Sequence, residues 1–281
     1  MPGTYHHIEV TPVTPAIGAE ISGIQITDDL SDAVVQEIRA AYLEHLVVFF
    51  RDQTLTPGQL VNFSRRFGEI GYYPFVEGMA GQPEVVEVVK KEDETINFGG
   101  LWHTDTSYLE IPPMGSVLYA VDVPPIGGDT LFSNMYLAYD ALSDGMKNLL
   151  SGLRGVNSAE KPDAAVTRVN RMAEKPRDAA EVVTTASHPI VRTHPETGRQ
   201  SLYCSNAHTL HIEGMSREES LPILSYLYEL QQREEFGCRF HWEPGSVAFW
   251  DNRCAQHNAL NDYHGYRRVM HRVTLKGDVP A

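Results

Sequence analysis

Alternating apolar and polar positions, broken by Pro and Gly, predict short β-strands along much of the chain. Near the start, Ile8 and Val10 mark one alternating stretch, and Ile24 and Ile26 mark a second. The continuous apolar run at 46–50 is rich in β-forming residues and predicts a buried strand. Further strands are expected at 85–90, 114–123, 131–132, 189–191, 202–203, 238–242, 246–250 and 266–276.

Apolar residues spaced three and four apart, each set preceded by a capping residue, predict helices between the strands. Ser31 precedes one such pattern, which continues to Leu46. Thr56 and Gln59 are the ends of a capping-box sequence, and the helix that it opens is expected to end near Phe67. Three more helices are expected after Asn134, Ser143 and Ser216, ending near 142, 153 and 237.

The many short strands, with helices between and outside them, indicate a mainly β fold with a core of jelly-roll type. The sequence has no internal repeat and no linker, so residues 1–281 are expected to form a single domain. Residues 155–186 differ, because they are polar, charged and interrupted by Pro162 and Pro176. A plain connection of this length is unusual in a compact domain. Two interpretations of this segment remain open. It is either a solvent-exposed insertion or a lid over a functional site.

Composition limits the partners of the protein. The chain has 281 residues, a hydrophobic fraction of 42% and a formal net charge of −14 at pH 7. The negative charge argues against nucleic acid or an anionic membrane as a partner, since both bind basic surfaces. No apolar run approaches the roughly 18 residues that span a bilayer. A small acidic substrate stays compatible, because two arginines can dominate the charge of one pocket.

The cysteines give an expectation about the cellular compartment. Cys204, Cys238 and Cys254 are odd in number and contain no Cys-x-x-Cys spacing. This pattern argues against a disulfide framework and favours a reducing compartment. The first ten residues lack the basic stretch followed by an apolar stretch that marks a signal peptide. We therefore expect a cytoplasmic protein.

A candidate metal site begins with His103 and Asp105, which lie in a stretch at 101–108 that we expect to be a strand. Side chains two apart in a strand project from the same face, so an imidazole and a carboxylate would lie side by side. The pair alone is a weak indication in a chain with 12 His and 37 Asp and Glu residues. His257 would complete a set of two His and one carboxylate, the ligands typical of non-haem Fe(II) oxygenases.

A candidate anion site lies in the last predicted strand, where Arg268, Met270 and Arg272 share one face. Two guanidinium groups inside a barrel are costly unless an anion meets them. The planar fork of Arg binds carboxylates through two parallel hydrogen bonds. The pair therefore predicts either a dicarboxylate site next to the metal or two salt bridges at a solvated face. The chain contains no nucleophile elbow, P-loop or dinucleotide fingerprint that would indicate another chemistry.

Four motifs in this order resemble the taurine dioxygenase family, which consists of Fe(II)- and 2-oxoglutarate-dependent oxygenases and includes aryloxyalkanoate dioxygenases. The motifs are Trp-His-Thr-Asp at 102–105, Gly-Gly-Asp-Thr at 127–130, Trp-Asp-Asn-Arg at 250–253 with His257 beyond it, and Arg-Arg-Val-Met-His-Arg at 267–272. Their spacing also fits the family, with 27 residues from the first His to the Thr and 11 from the distal His to the cosubstrate Arg. The resemblance extends over nearly the whole chain.

The resemblance implies a double-stranded β-helix that uses Fe(II), with 2-oxoglutarate and O2 as cosubstrates. It implies that His103, Asp105 and His257 bind Fe(II), and that Thr130 and Arg268 hold the distal carboxylate of 2-oxoglutarate. The implied reaction hydroxylates a C–H bond of a small organic acid and releases succinate and CO2. Where the hydroxylated carbon carries a heteroatom, the product would break down and release an ether-linked or sulfur-linked group.

Several positions depart from the taurine-specific pattern. Tyr73 stands where taurine-specific members have a His, Gly99 where they have an Asn, and His208 where they have a pocket Phe. The resemblance places Arg272 near the acidic group of the substrate and the metal-bound end of the cosubstrate. Tyr73 and Phe75 suit a flat and less polar substrate, so an aryloxyalkanoate-like acid is favoured over taurine. An alkylsulfonate or alkyl sulfate is the alternative.

Two other classes of protein remain open. A metal-dependent hydrolase could use the same type of barrel with Zn(II) at the same ligands. A non-catalytic module could bind a metal or a small acid without turnover. Cosubstrate-dependent O2 uptake separates the hydrolase from the oxygenase, and uncoupled succinate formation excludes the binding module. The resemblance also implies a homo-oligomer, either a dimer or a tetramer.

Overall fold

The computed structural model describes residues 4–169, 176 and 182–281. The strands are β1 (Glu9–Pro12), β2 (Ala19–Ser22), β3 (Val47–Phe50), β4 (Ile70–Gly71), β5 (Val86–Lys90), β6 (Gly115–Asp122), β7 (Thr130–Asn134), β8 (Arg154–Ser158), β9 (Thr185–Pro189), β10 (Val191–Thr193), β11 (Gln200–Leu202), β12 (Thr209–Ile212), β13 (Gly237–Phe240), β14 (Val247–Asp251), β15 (Ala255–Ala259) and β16 (Arg268–Leu275). The helices are α1 (Asp32–His45), α2 (Pro57–Arg65), α3 (Met135–Asp140), α4 (Asp144–Leu150), α5 (Pro162–Ala165) and α6 (Arg217–Gln231). Within these residues, no helix combines the length and the apolar character that crossing a bilayer requires.

Two packed β-sheets form the core. The larger sheet has the order β1-β2-β3-β14-β6-β16-β4, and β5 pairs with β16. The smaller sheet has the order β13-β7-β15. Phe49 of the larger sheet packs against Phe132 and Phe240 of the smaller one, with ring centroids 5.6 and 3.9 Å apart. The prediction of a mainly β fold with a jelly-roll core, the double-stranded β-helix, is confirmed.

Two smaller sheets and several helices lie outside this core. β10 and β11 pair as the predicted hairpin, although each strand is shifted along the sequence by one or two residues. β8 pairs with β9 on one side and with β12 on the other. A separate apolar cluster outside the two core sheets includes Leu142, Leu202 and Leu227. It packs helices α3 and α6 against the hairpin.

The predicted helix starts are confirmed. Ser31, Asn134 and Ser143 each accept hydrogen bonds from backbone N–H groups of the first turn. Thr56 and Ser216 form complete capping boxes. These starts were predictable because the capping bonds connect residues only three apart.

Two further predicted elements differ clearly from the observed ones. The second N-terminal strand is β2 and not 24–26, because Ile26 donates its backbone N–H to the Gln53 side chain and not to a strand. The last helix ends at Gln231 and not near Gly237, because Phe236 turns back into the core before β13 begins.

The stretch 101–108 is not a strand, contrary to expectation. Within it only His103 pairs, in a single bridge with His257. A turn follows at 105–108, and Thr106 has the positive φ of 44°. The partner strand β15 was not predicted, because its sequence AQHNA has neither alternation nor β-branched residues.

The polar segment 155–186 begins and ends in strands. Residues 155–158 belong to β8 and 185–186 to β9, and the two strands pair antiparallel. Between them lie α5 and a short 3-10 turn. The part of the predicted lid at 170–175 and 177–181 lies outside the described residues.

A buried charged network anchors the turn after β14. Arg253 donates to both carboxylate oxygens of Asp251, at 2.8 and 2.7 Å, and to Glu196 at 2.7 Å. His194 Nε2 lies 3.0 Å from Asp251 Oδ2. Burial alone would raise the pKa of Asp251, but the Arg253 guanidinium holds it well below its usual value. The network therefore connects the β10–β11 hairpin to the end of β14.

Replacing Arg253 tests this network. Arg253→Met is expected to lower the free energy of unfolding by about 3 kcal/mol, because the Asp251 carboxylate stays buried without its main partner. Arg267→Met is the control, since Arg267 pairs with Asp122 where both side chains are about half exposed, and such pairs contribute about 0–1 kcal/mol. Chemical denaturation measures both changes. An Arg253→Met protein as stable as the wild type would contradict this role.

Candidate active site

Two imidazoles and one carboxylate converge in the core. His103 Nε2 and His257 Nε2 lie 3.6 and 3.9 Å from Asp105 Oδ1. The two imidazole centroids are 4.2 Å apart. All three side chains are buried, and one ligand atom from each lies within 4.8 Å of the others. The structure thus brings the three predicted metal ligands together.

Backbone pairing joins ligands that are distant in the sequence. His103 and His257 exchange both backbone N–H···O bonds, at 3.0 and 2.9 Å, so their side chains are direct neighbours. Asn252 fixes the turn that carries Asp105. Its carbonyl accepts from Thr104 Oγ1 at 2.6 Å, and its side-chain oxygen accepts from Asp105 N at 3.4 Å. The Asn of the Trp-Asp-Asn-Arg motif therefore positions a ligand.

Hydrogen bonds orient the ligand atoms toward one another. His103 Nδ1 lies 2.6 Å from the acceptor Leu101 O, so Nδ1 carries a proton and Nε2 is the ring nitrogen that can bind a metal ion. Ser116 Oγ donates to Asp105 Oδ2 at 2.8 Å. Asp105 Oδ1 is therefore the oxygen that faces the two imidazoles.

Electrostatics favours the metal-binding protonation states. Burial alone would raise the pKa of Asp105, but Arg272, whose Nη2 lies 3.0 Å from Asp105 Oδ1, holds it well below its usual value. Burial lowers the pKa of His257 well below its usual value. An ionised carboxylate and a neutral imidazole are the forms that bind a metal ion.

An inner cavity extends from the two imidazoles to the predicted cosubstrate residues, and Thr130, Trp242 and Arg268 line it. Trp242 Nε1 donates to Thr130 Oγ1 at 2.9 Å, which leaves the hydroxyl proton for another acceptor. Arg268 is 6% exposed, and its Nε and Nη2 have no hydrogen-bond partner among the described residues. Buried donors without acceptors beside a hydroxyl are suited to binding a carboxylate.

Lys90 adds positive charge near Arg268. It is the cross-strand neighbour of Arg268 and is 3% exposed. Its Nζ lies 4.5 Å from the ring centroid of Tyr263 and has no hydrogen-bond partner in the described part of the chain. The sequence analysis missed it, because one Lys in the strand predicted at 85–90 carries no pattern. Two buried cations favour an anion at this end of the inner cavity.

An outer cavity meets the inner one at His103 and Arg272, and aromatic rings form part of its wall. Tyr73, Tyr108 and His208 contribute to its lining. His208 is edge-on to Tyr108, with ring centroids 5.0 Å apart. Burial lowers the pKa of His208 well below its usual value, so this imidazole is neutral. The cavity therefore offers a flat apolar surface beside the ligand cluster.

Of the five predicted substrate-pocket residues, Tyr73, Gly99, His208 and Arg272 line the outer cavity. Phe75 is not part of this lining. It packs against Tyr73, with ring centroids 5.8 Å apart, and its role in the substrate pocket stays a prediction.

Gly99 keeps space beside a metal ligand. Its φ is +76°, a conformation that favours glycine, and a Cβ at this position would lie 3.2 Å from His103 Cε1. The absence of an Asn side chain here therefore widens the region where the two cavities meet.

The sequence analysis also missed Phe98, Tyr108 and Arg168 in the outer cavity. Tyr108 lies three residues after Asp105, so a turn predicted at 105–108 would have placed Tyr108 near the metal site. Phe98 is adjacent in sequence to the predicted pocket residue Gly99, and this adjacency could have indicated that Phe98 also lines the pocket. Arg168 lies within the polar segment 155–186, where no periodicity relates it to the core.

The donor set fits Fe(II), since two neutral imidazoles and a carboxylate are the ligands of non-haem iron oxygenases. Among the described residues, a second close group consists of His194, Asp251 and Cys254. Arg253 already donates twice to Asp251. A metal ion there would have to displace this guanidinium, so the second group is structural.

The fold and the site together define a non-haem Fe(II)- and 2-oxoglutarate-dependent oxygenase. Residues 9–274 match the family described as Taurine catabolism dioxygenase TauD, TfdA family. The chain belongs to this family. It is therefore an oxidoreductase, a dioxygenase that uses Fe(II), 2-oxoglutarate (alpha-ketoglutarate) and O2.

The relatives include an alpha-ketoglutarate-dependent sulfate ester dioxygenase from Pseudomonas putida, 35% identical over 98% of this chain and 91% of that protein. An alpha-ketoglutarate-dependent 2,4-dichlorophenoxyacetate dioxygenase from Cupriavidus pinatubonensis is 31% identical over 96% of this chain and 98% of its own.

Solved structures agree with the fold. A taurine dioxygenase from Burkholderia xenovorans is 40% identical and superposes with a TM-score of 0.84, covering 98% of this chain and 93% of its own. AAD-2 in complex with Mn(II) and N-oxalylglycine is 28% identical, with a TM-score of 0.79, covering 97% of this chain and 98% of its own.

Proposed function

We propose that His103, Asp105 and His257 hold the Fe(II), and that Thr130 and Arg268 bind the distal carboxylate of 2-oxoglutarate. The observation that supports this most strongly is the convergence of the two Nε2 atoms on Asp105 Oδ1, within 3.9 Å. When bound, Fe(II) supplies the reaction of O2 with 2-oxoglutarate that gives succinate and CO2 and hydroxylates a substrate C–H bond.

The residues of the chain orient the reactants. Thr130 and Arg268 fix the far end of the cosubstrate, so that its 2-oxo acid end is directed to the ligand cluster. Arg272 lies where the two cavities meet and attracts the metal-bound end of the cosubstrate and the acidic group of the substrate. The aromatic walls of the outer cavity keep water away from the reacting C–H bond.

The proposed substrate is a small organic acid with a flat, apolar body, of the aryloxyalkanoate type. The lining by Tyr73, Phe98, Tyr108 and His208 supports it, because these rings pack against flat surfaces. Taurine has no apolar body to fill such a cavity. Hydroxylation of the carbon next to the ether oxygen would release a phenol.

An alkyl sulfate or alkylsulfonate is the second candidate. The identity of 35% to the sulfate ester dioxygenase favours it. The outer cavity also accommodates an alkyl chain, since its walls are apolar. Hydroxylation next to the ester oxygen would release sulfate.

We also propose a domain organisation, an oligomeric state and a cellular location for the protein. The 281 residues form one oxygenase domain, and segment 155–186 covers the outer cavity. Ala164, Thr167 and Arg168 support the cover, since they line that cavity. We propose a dimer or tetramer, as in the family, and a cytoplasmic location, which the three free and buried cysteines favour.

The ligand assignment predicts a spectroscopic loss. Anaerobic wild-type protein with Fe(II) and 2-oxoglutarate should develop a weak visible charge-transfer band, and His103→Ala should abolish both this band and succinate formation. His7→Ala, at an exposed position, is the control and should behave as the wild type. A normal band in His103→Ala would refute the assignment. Cosubstrate-dependent O2 uptake by the wild type separates the oxygenase from a hydrolase.

The cosubstrate assignment predicts a change in affinity. Arg268→Met should raise the KM for 2-oxoglutarate by about 10- to 100-fold, because it removes a charge-assisted pair of about 1.5–3 kcal/mol. Arg267→Met is the matched control, since Arg267 lies one residue before β16 and pairs with the half-exposed Asp122. An unchanged KM in Arg268→Met would count against the role.

The substrate proposal predicts which acids stimulate succinate formation. In the presence of 2-oxoglutarate, 2,4-dichlorophenoxyacetate should raise succinate formation above the uncoupled background, and taurine should not. Hexyl sulfate and hexanesulfonate test the second candidate in the same assay. Stimulation by taurine alone would show that the aromatic cavity does not select the substrate.

A further inference from the structure

Arg168 is a buried cation in the wall of the outer cavity that the family motifs do not include. It ends the 3-10 turn Val166–Arg168 within the polar segment and is 7% exposed. The same cavity is lined by His103 and Asp105, so Arg168 faces the space that a substrate must occupy to reach the metal site. Burying a guanidinium in an aromatic cavity is costly unless a ligand or protein acceptor meets it.

The described contacts of the Arg168 guanidinium are two rings and one carbonyl. Its Cζ lies 4.7 Å from the ring centroid of Phe75 and 6.0 Å from that of Tyr108. One terminal nitrogen donates to the Ala159 carbonyl oxygen. A guanidinium carries five N–H donors, so this bond leaves most of them for another acceptor. The rings hold the guanidinium without neutralising its charge.

Arg272 is the other arginine that lines the outer cavity. Arg272 is engaged with Asp105 at 3.0 Å. Tyr73 and Gly99 occupy the positions at which the sequence departs from the taurine-specific pattern, and neither carries a charge. Arg272 also has an Nε and an Nη2 without a hydrogen-bond partner among the described residues, so Arg168 is a second cation that faces this cavity.

We propose that Arg168, together with Arg272, binds the anionic group of the organic substrate, a sulfate, sulfonate or carboxylate, and that Arg168 determines which acids the enzyme accepts. This inference rests on the proposed function. The guanidinium plane matches two oxygens of any of these groups through parallel hydrogen bonds. Because Phe75 and Tyr108 hold the side chain in place, little conformational entropy is lost when the anion binds.

Phe75 contributes to this role by holding Arg168 in place, although Phe75 does not line the cavity. Its ring supports Arg168 on one side and Tyr73 on the other. Specificity would then depend on segment 155–186, which carries Arg168, and not on the strands that hold the metal ligands.

Binding of two anionic probes tests the proposal without turnover. The enzyme loaded with Mn(II) and N-oxalylglycine is titrated calorimetrically with hexyl sulfate and with 2,4-dichlorophenoxyacetate. Arg168→Met should weaken the binding of at least one probe about 10- to 100-fold, as expected for losing a charge-assisted pair. Arg168→Lys should recover part of the affinity. The probe with the larger loss identifies the oxyanion that the residue recognises.

The controls separate charge recognition from a structural role. Arg154→Met removes an arginine at the start of β8 that contacts Ser187 and Glu213 outside the cavity, and should bind both probes as the wild type does. 2,4-Dichlorophenoxyacetamide, which lacks the charge, should bind Arg168→Met and the wild type equally.

Three outcomes would overturn the proposal. They are unchanged affinity of Arg168→Met for both probes, an equal loss for the neutral amide, and no binding of either anion to the wild type. Uncoupled succinate formation by the wild type is measured in parallel. Its absence would count against the proposed function, whereas unchanged probe binding counts against Arg168 alone.

Discussion

The site depends on one short backbone contact, the pair of hydrogen bonds between His103 and His257. This contact joins the loop before β6 to β15 of the smaller sheet and places two imidazoles side by side. Asp105 then needs only one turn to reach them, and Asn252 holds that turn in place. A metal site made from two distant segments thus inherits its rigidity from the sheets on which those segments end.

Local charge at the site is opposite in sign to the net charge of the protein. The chain carries a formal charge of −14, yet Arg268 and Lys90 are buried beside one another in the core. Arg272 stabilises the ionised Asp105, and burial keeps His257 neutral. The core therefore accumulates positive charge where we propose that the dicarboxylate cosubstrate binds. The acidic surface weakens it little, because water and salt screen exposed charges much more than buried ones.

The two cavities divide the chemistry of the enzyme. The inner one is bounded by residues of the sheets and carries the donors that we propose for 2-oxoglutarate, so it is suited to the reaction that family members share. The outer one is lined by loops and by the segment with Arg168. Such segments change shape and composition without disturbing the core. Differences in substrate among sulfonate, sulfate ester and aryloxyalkanoate enzymes are therefore expected in this outer lining.

The sequence alone determined the features that rest on local or periodic patterns. Helix starts at Thr56 and Ser216 followed from capping bonds between residues three apart, and the common face of Arg268 and Arg272 followed from the two-residue period of a strand. Ordered motifs indicated the metal ligands, but His103 and Asp105 meet through a turn and not on a strand face. Only the tertiary structure decided that β15 pairs with the smaller sheet, that Lys90 lies beside Arg268 and that Arg168 faces the outer cavity. These relations arise from pairing and packing between distant segments, and no local pattern encodes them.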